Sequence, residues 1–401
     1  MPSTTPRAMN FFCPDATIDA PVLAISCLGR LGRFGNQLFQ YSFIRIVADA
    51  NGYRVLCPPW LGARVFGLSD GEPFAALPLV ADRVVLSHAG WRSWAAAREP
   101  MKTLIREAGG ADSLSGRKLR ASFPQVWGDA LREPTECAAL RGGNVDLWGW
   151  FQFHTSVWAP HAERWRELYT PVPQLEPVLS ALLRRLLQCD SEEAPPRLIV
   201  VHLRAGRGGA PPVKEDADTN THAKDWGWSE WRDRNTFWPA PIDWYVGWLN
   251  AQLIREGWAS SRLLVCTDDE ASAAALHDAM KQRIRVVSWE AVKVTPEMAA
   301  LRRVWAALSK EEAVVEEDHE LSLFMDWWVM TQADLLATSN STFSVSAAML
   351  SKSSEGGESR FWRPVPSEGA LVAFDPWDCQ PLLSCTDEEA AALYSGRTAY
   401  E

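Results

Sequence analysis

The sequence predicts an α/β fold made of two Rossmann-like units. Three observations carry the prediction. A strand, glycine turn, helix and strand follow one another near the start; a polar, proline-broken stretch lies near residue 190; and apolar strands alternate with amphipathic helices beyond it.

Val22 to Ser26 is a short apolar run of the kind a parallel sheet buries. A glycine-dense turn, Gly29-Arg30-Leu31-Gly32-Arg33-Phe34-Gly35, then hands over to Asn36-Gln37-Leu38-Phe39-Gln40-Tyr41. Asn36 is the expected N-cap, its side-chain oxygen accepting from first-turn amides. Phe39, Phe43, Ile46, Val47 and Ala50 share one helical face, and Asn51-Gly52 supplies the stop. Tyr53 to Cys57 is a second strand, ended by Pro58-Pro59. Amides, a polar cap and Arg33 converge at this joint, which favours a bound anion or polyol; turn chemistry alone accounts for the same glycines. The Gly-x-x-Gly-x-x-Gly spacing is not the dinucleotide fingerprint, and no acidic residue follows where a ribose partner is expected.

A less regular stretch comes next, with tryptophans at 91, 94, 127, 148, 150, 158 and 165. Gln188 to Arg197, which carries Asp190, Glu192, Glu193, Pro195 and Pro196, is the best linker candidate, and divides the chain into residues 1–190 and 191–401. Beyond it, strands are expected at Leu198–Leu203, Arg262–Thr267, Ile284–Trp289 and Asp334–Thr338. Helices are expected at Ile242–Glu256, Glu270–Lys281, Leu321–Gln332 and Phe343–Leu350. Two such units facing a central cleft form a GT-B-like architecture.

Composition narrows the partners. The 401 residues suffice for two domains, and 47% hydrophobic with 22% charged residues is ordinary for a globular protein. A net charge of −10 argues against nucleic acid as a main partner. No apolar run reaches the ~20 residues that span a bilayer. The first residues lack the apolar core of a secretory signal, so a cytoplasmic location is expected. The eight cysteines include no Cys-x-x-Cys pair and are expected as small buried residues. Asp318-His319-Glu320 is expected on a solvated helix face rather than at a metal.

Two further segments carry chemistry. His202 and Arg204, two apart at the carboxyl end of a strand, leave the same face, where open α/β sheets bind ligands. A permanent cation beside a histidine, followed by Gly206-Arg207-Gly208-Gly209, suits a diphosphate with its base or ribose; an arginine paired with a carboxylate is the structural alternative. Ser339-Asn340-Ser341-Thr342-Phe343-Ser344 follows a strand and opens a helix, so it reads either as an anion cradle or as simple N-capping. Its Asn340-Ser341-Thr342 sequon is discounted for a cytoplasmic chain.

In this order, with Gly149-Trp150-Phe151-Gln152, Asp243-Trp244-Tyr245 and Cys266-Thr267-Asp268-Asp269 between them, these segments resemble the GDP-fucose-dependent fucosyltransferases. The order is that of the α1,2-fucosyltransferases (glycosyltransferase family 11). Gly32 to Gln37, Pro58-Pro59-Trp60 and the His-x-Arg strand are also similar to protein O-fucosyltransferases. The α1,2 enzymes usually have aspartate where this chain has Arg207, and tryptophans where it has Val345 and Ser346.

The resemblance implies an inverting, metal-independent transferase that moves L-fucose from GDP-fucose to a glycan or glycoprotein hydroxyl. No cofactor beyond the donor and no membrane span are implied. Arg204 and Asn36 would be catalytic, Arg204 holding the departing β-phosphate. His202 would take the ribose or guanine side, Ser341, Thr342 and Phe343 the diphosphate, and Asp326 the guanine. Gly35, Asn36 and Gln37 would face fucose and acceptor from residues 1–190. A catalytic base is open among Glu215, Asp216, Asp218 and Asp225. Trp226, Trp228, Trp231 and Trp238 are candidates to stack on an acceptor sugar, whereas Trp244 and Trp248 read as core. The competing readings are transfer to a peptide Ser or Thr, a non-catalytic glycan or nucleotide binder, and a manganese enzyme using Asp216-x-Asp218 or Asp268-Asp269.

Overall fold

A computed structural model describes residues 20–25, 28–29, 33–68, 70, 83–86, 143–189, 195–204, 238–255, 258, 260–308, 314–351, 360–383 and 385. Its first sheet holds β1 (Val22–Ala24), β2 (Arg54–Leu56), β3 (Arg83–Leu86) and β4 (Val145–Trp148) in the order β2-β1-β4-β3, all parallel. Helices α1 (Phe34–Asn51), α2 (Leu61–Val65), α3 (Ala162–Leu168) and α4 (Glu176–Leu187) accompany it.

The second sheet holds β5 (Leu198–Leu203), β6 (Arg262–Thr267), β7 (Arg285–Val287), β8 (Leu335–Ala337), β9 (Phe361–Val365) and β10 (Ala370–Ala373). Their order is β10-β9-β8-β5-β6-β7, parallel except for the β9–β10 hairpin. Between its strands run α5 (Ile242–Leu253), α6 (Glu270–Met280), α7 (Pro296–Leu308), α8 (Val314–Gln332) and α9 (Thr342–Leu350). Setting β10 aside and counting β5 as first, the order is 3-2-1-4-5, the doubly wound Rossmann pattern. The architecture is therefore α/β and GT-B-like, as the alternation predicts.

β5 is buried along its whole length. Ile199, Val201 and Leu203 join a core with Tyr245, Leu249 and Leu276 on one face, while Leu198 and Val200 join a larger core on the other. That larger core runs on through α8 and α9 to Phe34, Leu38 and Phe39 of α1, so apolar packing continues from one sheet's helices to the other's. Trp158 and Trp165 are fully buried in it, edge-on to each other and to Phe39.

Several expectations need correction. Asn36 does not cap α1: the helix begins at Phe34, with extended Arg33 before it, and Asn36 lies inside the first turn. Packing sets this start, since Phe34 is buried edge-on against Trp327. The other end follows prediction, with Gly52 left-handed at φ 70° and its N–H on the Ala48 carbonyl. α7 and the β9–β10 hairpin went unpredicted, and α8 begins at Val314 rather than near residue 320. No helix among the described residues is long and apolar enough to cross a membrane.

After β10 the chain ties the two halves together. The Thr155 N–H and hydroxyl both donate to the Cys379 carbonyl, and the Thr155 hydroxyl accepts from the Cys379 N–H. Asn340 then holds Leu383 by two bonds of 2.8 Å, accepting from its N–H and donating to its carbonyl. Trp238 adds an indole N–H to the same carbonyl.

Candidate active site

In doubly wound sheets ligands settle outside the carboxyl ends of the strands where the strand order reverses. In the second sheet the reversal lies between β5 and β8, the strands that lead to His202–Arg204 and to Ser339–Phe343. In the first sheet the two central strands, β1 and β4, lead to Arg33–Gln37 and to Gly149–Gln152. Four motifs far apart in sequence thus leave two sheets at equivalent places, and they meet.

Asn36 is the hub. Its Oδ1 accepts from the Thr342 hydroxyl at 2.7 Å and from the Gln152 amide at 2.6 Å. Gln152 is held in turn by the chain around it. Phe151 adopts a left-handed φ of 49°, costly for a non-glycine residue, and its buried ring stacks on Phe43 at 4.4 Å. Gln40 meanwhile donates to the Gly149 carbonyl at 2.9 Å.

Gly35 has a packing role that the sequence did not show. A Cβ there would stand 2.4 Å from the Phe343 nitrogen and 2.7 Å from the Thr342 carbonyl carbon. The residue lets α1 lie directly on the start of α9, so at this point the two halves touch rather than face each other across a groove. Gln37 lies in the same first turn, half-buried, with its N–H on the Arg33 carbonyl.

The start of α9 is a built cap. The Ser341 hydroxyl accepts from the Phe343 N–H at 3.3 Å, and Ser344 donates to the carbonyls of Ser339 and Ser341. Ser341 and Thr342 are both buried, at 6% exposure. The capping alternative therefore describes the Ser341 side chain, and Thr342 is engaged across to α1. What this terminus can offer an anion is the positive end of its dipole.

His202 pairs its Nδ1 with the Ser339 hydroxyl at 2.8 Å, and its ring lies 5.4 Å from that of Phe343. Burial, with Arg204 adding to it, pushes the imidazole down to about 3, so it is neutral at physiological pH. Burial also lowers Arg204; Asp268 opposes this and Arg33 adds to it. Asp268 is 46% exposed and stands 3.9 Å from the Arg33 guanidinium. Arg204 is half-buried, with the charges of Asp268 and Arg33 both acting on it.

Asp326 lies on α8. Its Oδ1 accepts from the Trp289 indole N–H at 2.8 Å, and the Cys266 thiol donates to the same carboxylate. Burial pushes the carboxyl up to about 6, while both bonds oppose the rise. Cys266 pairs in register with His202, which places Asp326 beside the His202 strand end.

The structure thus brings together Gly35, Asn36, Ser341, Thr342, Phe343, His202 and Arg204, with Asp326 one strand further on. Sequence reasoning gave Gln152 and Trp289 no individual role, took Ser339 only as part of a cradle or cap, and took Asp268 only as a manganese ligand in a competing reading. Gln152 and Asp268 stand inside segments already singled out, and that was the available signal. Trp238 is buried, at 1% exposure, and cannot stack on a sugar as expected. Asp269 caps α6 by accepting from the Ser272 N–H at 2.8 Å, so Asp268 and Asp269 point to different partners. Asp216, Asp218, Glu215, Asp225, Arg207, Trp226, Trp228 and Trp231 lie outside the described residues.

No protein-family model matches the chain, and no curated protein matches it. Among solved structures, NodZ α-1,6-fucosyltransferase from Bradyrhizobium is 13% identical, with 89% of this chain and 99% of that one covered at a TM-score of 0.40. POFUT1 in complex with GDP is 13% identical, with coverage of 86% and 98% and a TM-score of 0.42. An Arabidopsis thaliana FUT1 variant in complex with GDP is 12% identical, with coverage of 90% and 73% and a TM-score of 0.41. At these scores the strand order of this chain, not the likeness, defines its fold.

Proposed function

We propose that this protein is an inverting fucosyltransferase that moves L-fucose from GDP-fucose to a glycan hydroxyl. The observation that carries the reading is the meeting of four motifs from the central strands of both sheets, with Asn36 bonded to Thr342 and His202 bonded to Ser339. Residues 191–401 would form the donor side and residues 1–190 the acceptor side. The motif order supports the α1,2 linkage.

Displacement of the diphosphate builds positive charge on the sugar and negative charge on GDP. The Arg204 guanidinium and the amino end of α9 meet that negative charge with fixed positive ends, as an oxyanion hole does, so the reading invokes no metal or cofactor. Neutral His202 serves as a hydrogen-bonding partner, not a second cation. Asn36 acts by locking the acceptor-side turn onto the donor-side helix, and Asp326 supplies the acceptor for a guanine edge.

Incubation with labelled GDP-fucose and a glycan panel tests this. Transfer to galactose-terminated glycans that persists in EDTA is the expected result. Transfer to a peptide Ser or Thr would move the assignment to the protein O-fucosyltransferase type. Activity that needs added manganese would remove the metal-independent reading, and binding without transfer or hydrolysis would leave a non-catalytic relative.

A further inference from the structure

Asp326 is useful to a guanine base only in one form. The base offers two donors on one edge, N1–H and the exocyclic amine, and an ionised carboxylate is an acceptor-only group that matches both. A protonated carboxyl has a donor of its own and matches poorly. The carboxyl nevertheless sits where burial favours its neutral form.

Two groups work against that tendency. Trp289 opens the 3-10 turn Trp289–Val292 after β7 and aims its indole N–H at Oδ1 from 2.8 Å. Cys266 on β6 donates its thiol hydrogen to the same carboxylate. Trp289 is itself half-buried against the large core, which restricts its rotamer. Among the described residues, the titratable group bonded to this carboxylate is Cys266 from β6, which lies in register with neutral His202 on the neighbouring strand.

We propose that Trp289 is a positioning residue for nucleobase recognition, its indole N–H fixing the Asp326 carboxylate in the orientation and charge state that a guanine edge requires. The inference rests on the donor reading above. Hydrogen bonds to a charged group are the stronger class, and an indole can only donate. Trp289 thus selects the ionised acid over the neutral one, and Cys266, a weaker donor, assists.

Calorimetric binding of GDP and of inosine diphosphate, which lacks the exocyclic amine, tests this between pH 5 and 9. The wild type should bind GDP more tightly than inosine diphosphate, with GDP affinity falling as pH drops through about 6. Trp289→Phe keeps an aromatic ring and removes the N–H. It should bind GDP ~10-fold more weakly at pH 7, lose most of its preference over inosine diphosphate there, and recover both at pH 9. A merely structural role would weaken binding equally at every pH. If the wild type binds GDP and Trp289→Phe keeps the same pH profile, the positioning role is wrong and the donor reading stands. If the wild type binds no GDP at any pH, the donor reading fails and this inference with it.

Discussion

At the scale of single residues, charge and close approach decide what each position tolerates. Arg204 is a permanent cation at the carboxyl end of β5, and in the proposed reaction it faces the charge that develops on the leaving diphosphate. Arg204→Ala should lower turnover by ~10²–10³-fold while leaving the circular dichroism spectrum unchanged. Near-normal rates would remove it from the chemistry. Gly35 is decided by sterics. Alanine would improve helix propensity by up to ~1 kcal/mol, but its methyl would lie 2.4 Å from backbone that no rotamer change can move. The clash wins, and Gly35→Ala should destabilise the fold by roughly 1–3 kcal/mol in urea denaturation. Unchanged stability would mean that α1 and α9 part easily.

At the scale of elements, most of the second sheet was legible because its strands are continuous apolar runs. Arg262–Thr267 has the predicted bounds, and the observed ends of α5 and α6 fall within a few residues of prediction. What escaped had weaker local signals. α7 opens on Pro296 and carries only Met298, Leu301 and Trp305 as its buried stripe. The β9–β10 hairpin has Pro364 inside a strand, a residue that normally argues against one. At the site, Ser341 was legible as a cap or a cradle, but not which. Only three-dimensional contact shows Asn340 turned away from the site to clamp Leu383. Asn340→Ala removes both bonds to that backbone. We expect residues 375–385 to become markedly more sensitive to limited proteolysis, with stability lower by ~1–3 kcal/mol. Unaltered cleavage would show that Thr155 and Trp238 hold the segment without it.

At the scale of the whole molecule, two neighbouring groups set an unusual pH response. His202 titrates near 3 in the fold against about 6.5 unfolded, so alone it makes stability fall as pH drops from about 6.5 towards 3. Asp326 titrates near 6 in the fold against about 3.9 unfolded, so alone it makes stability fall as pH rises through that window. At pH 5 the unfolded chain carries its proton on histidine and the folded chain carries one on aspartate, and the two slopes cancel. Asp326→Asn should therefore gain stability, relative to wild type, as pH rises from 4 to 6. His202→Gln should lose it over the same range, each with a slope of up to ~1.4 kcal/mol per pH unit. Thermal melts across that range check both signs, and parallel curves for all three proteins would show the groups do not titrate this way.

The seat of Gly35 on the Phe343 backbone also sets how the protein could breathe. A contact with no side chain between its two surfaces has nothing to compress or swing aside, so it behaves as a fulcrum. Any swing of one sheet against the other that preserves it must turn about that point. The tips of the strands would then trace short arcs, and the far rims of the molecule long ones.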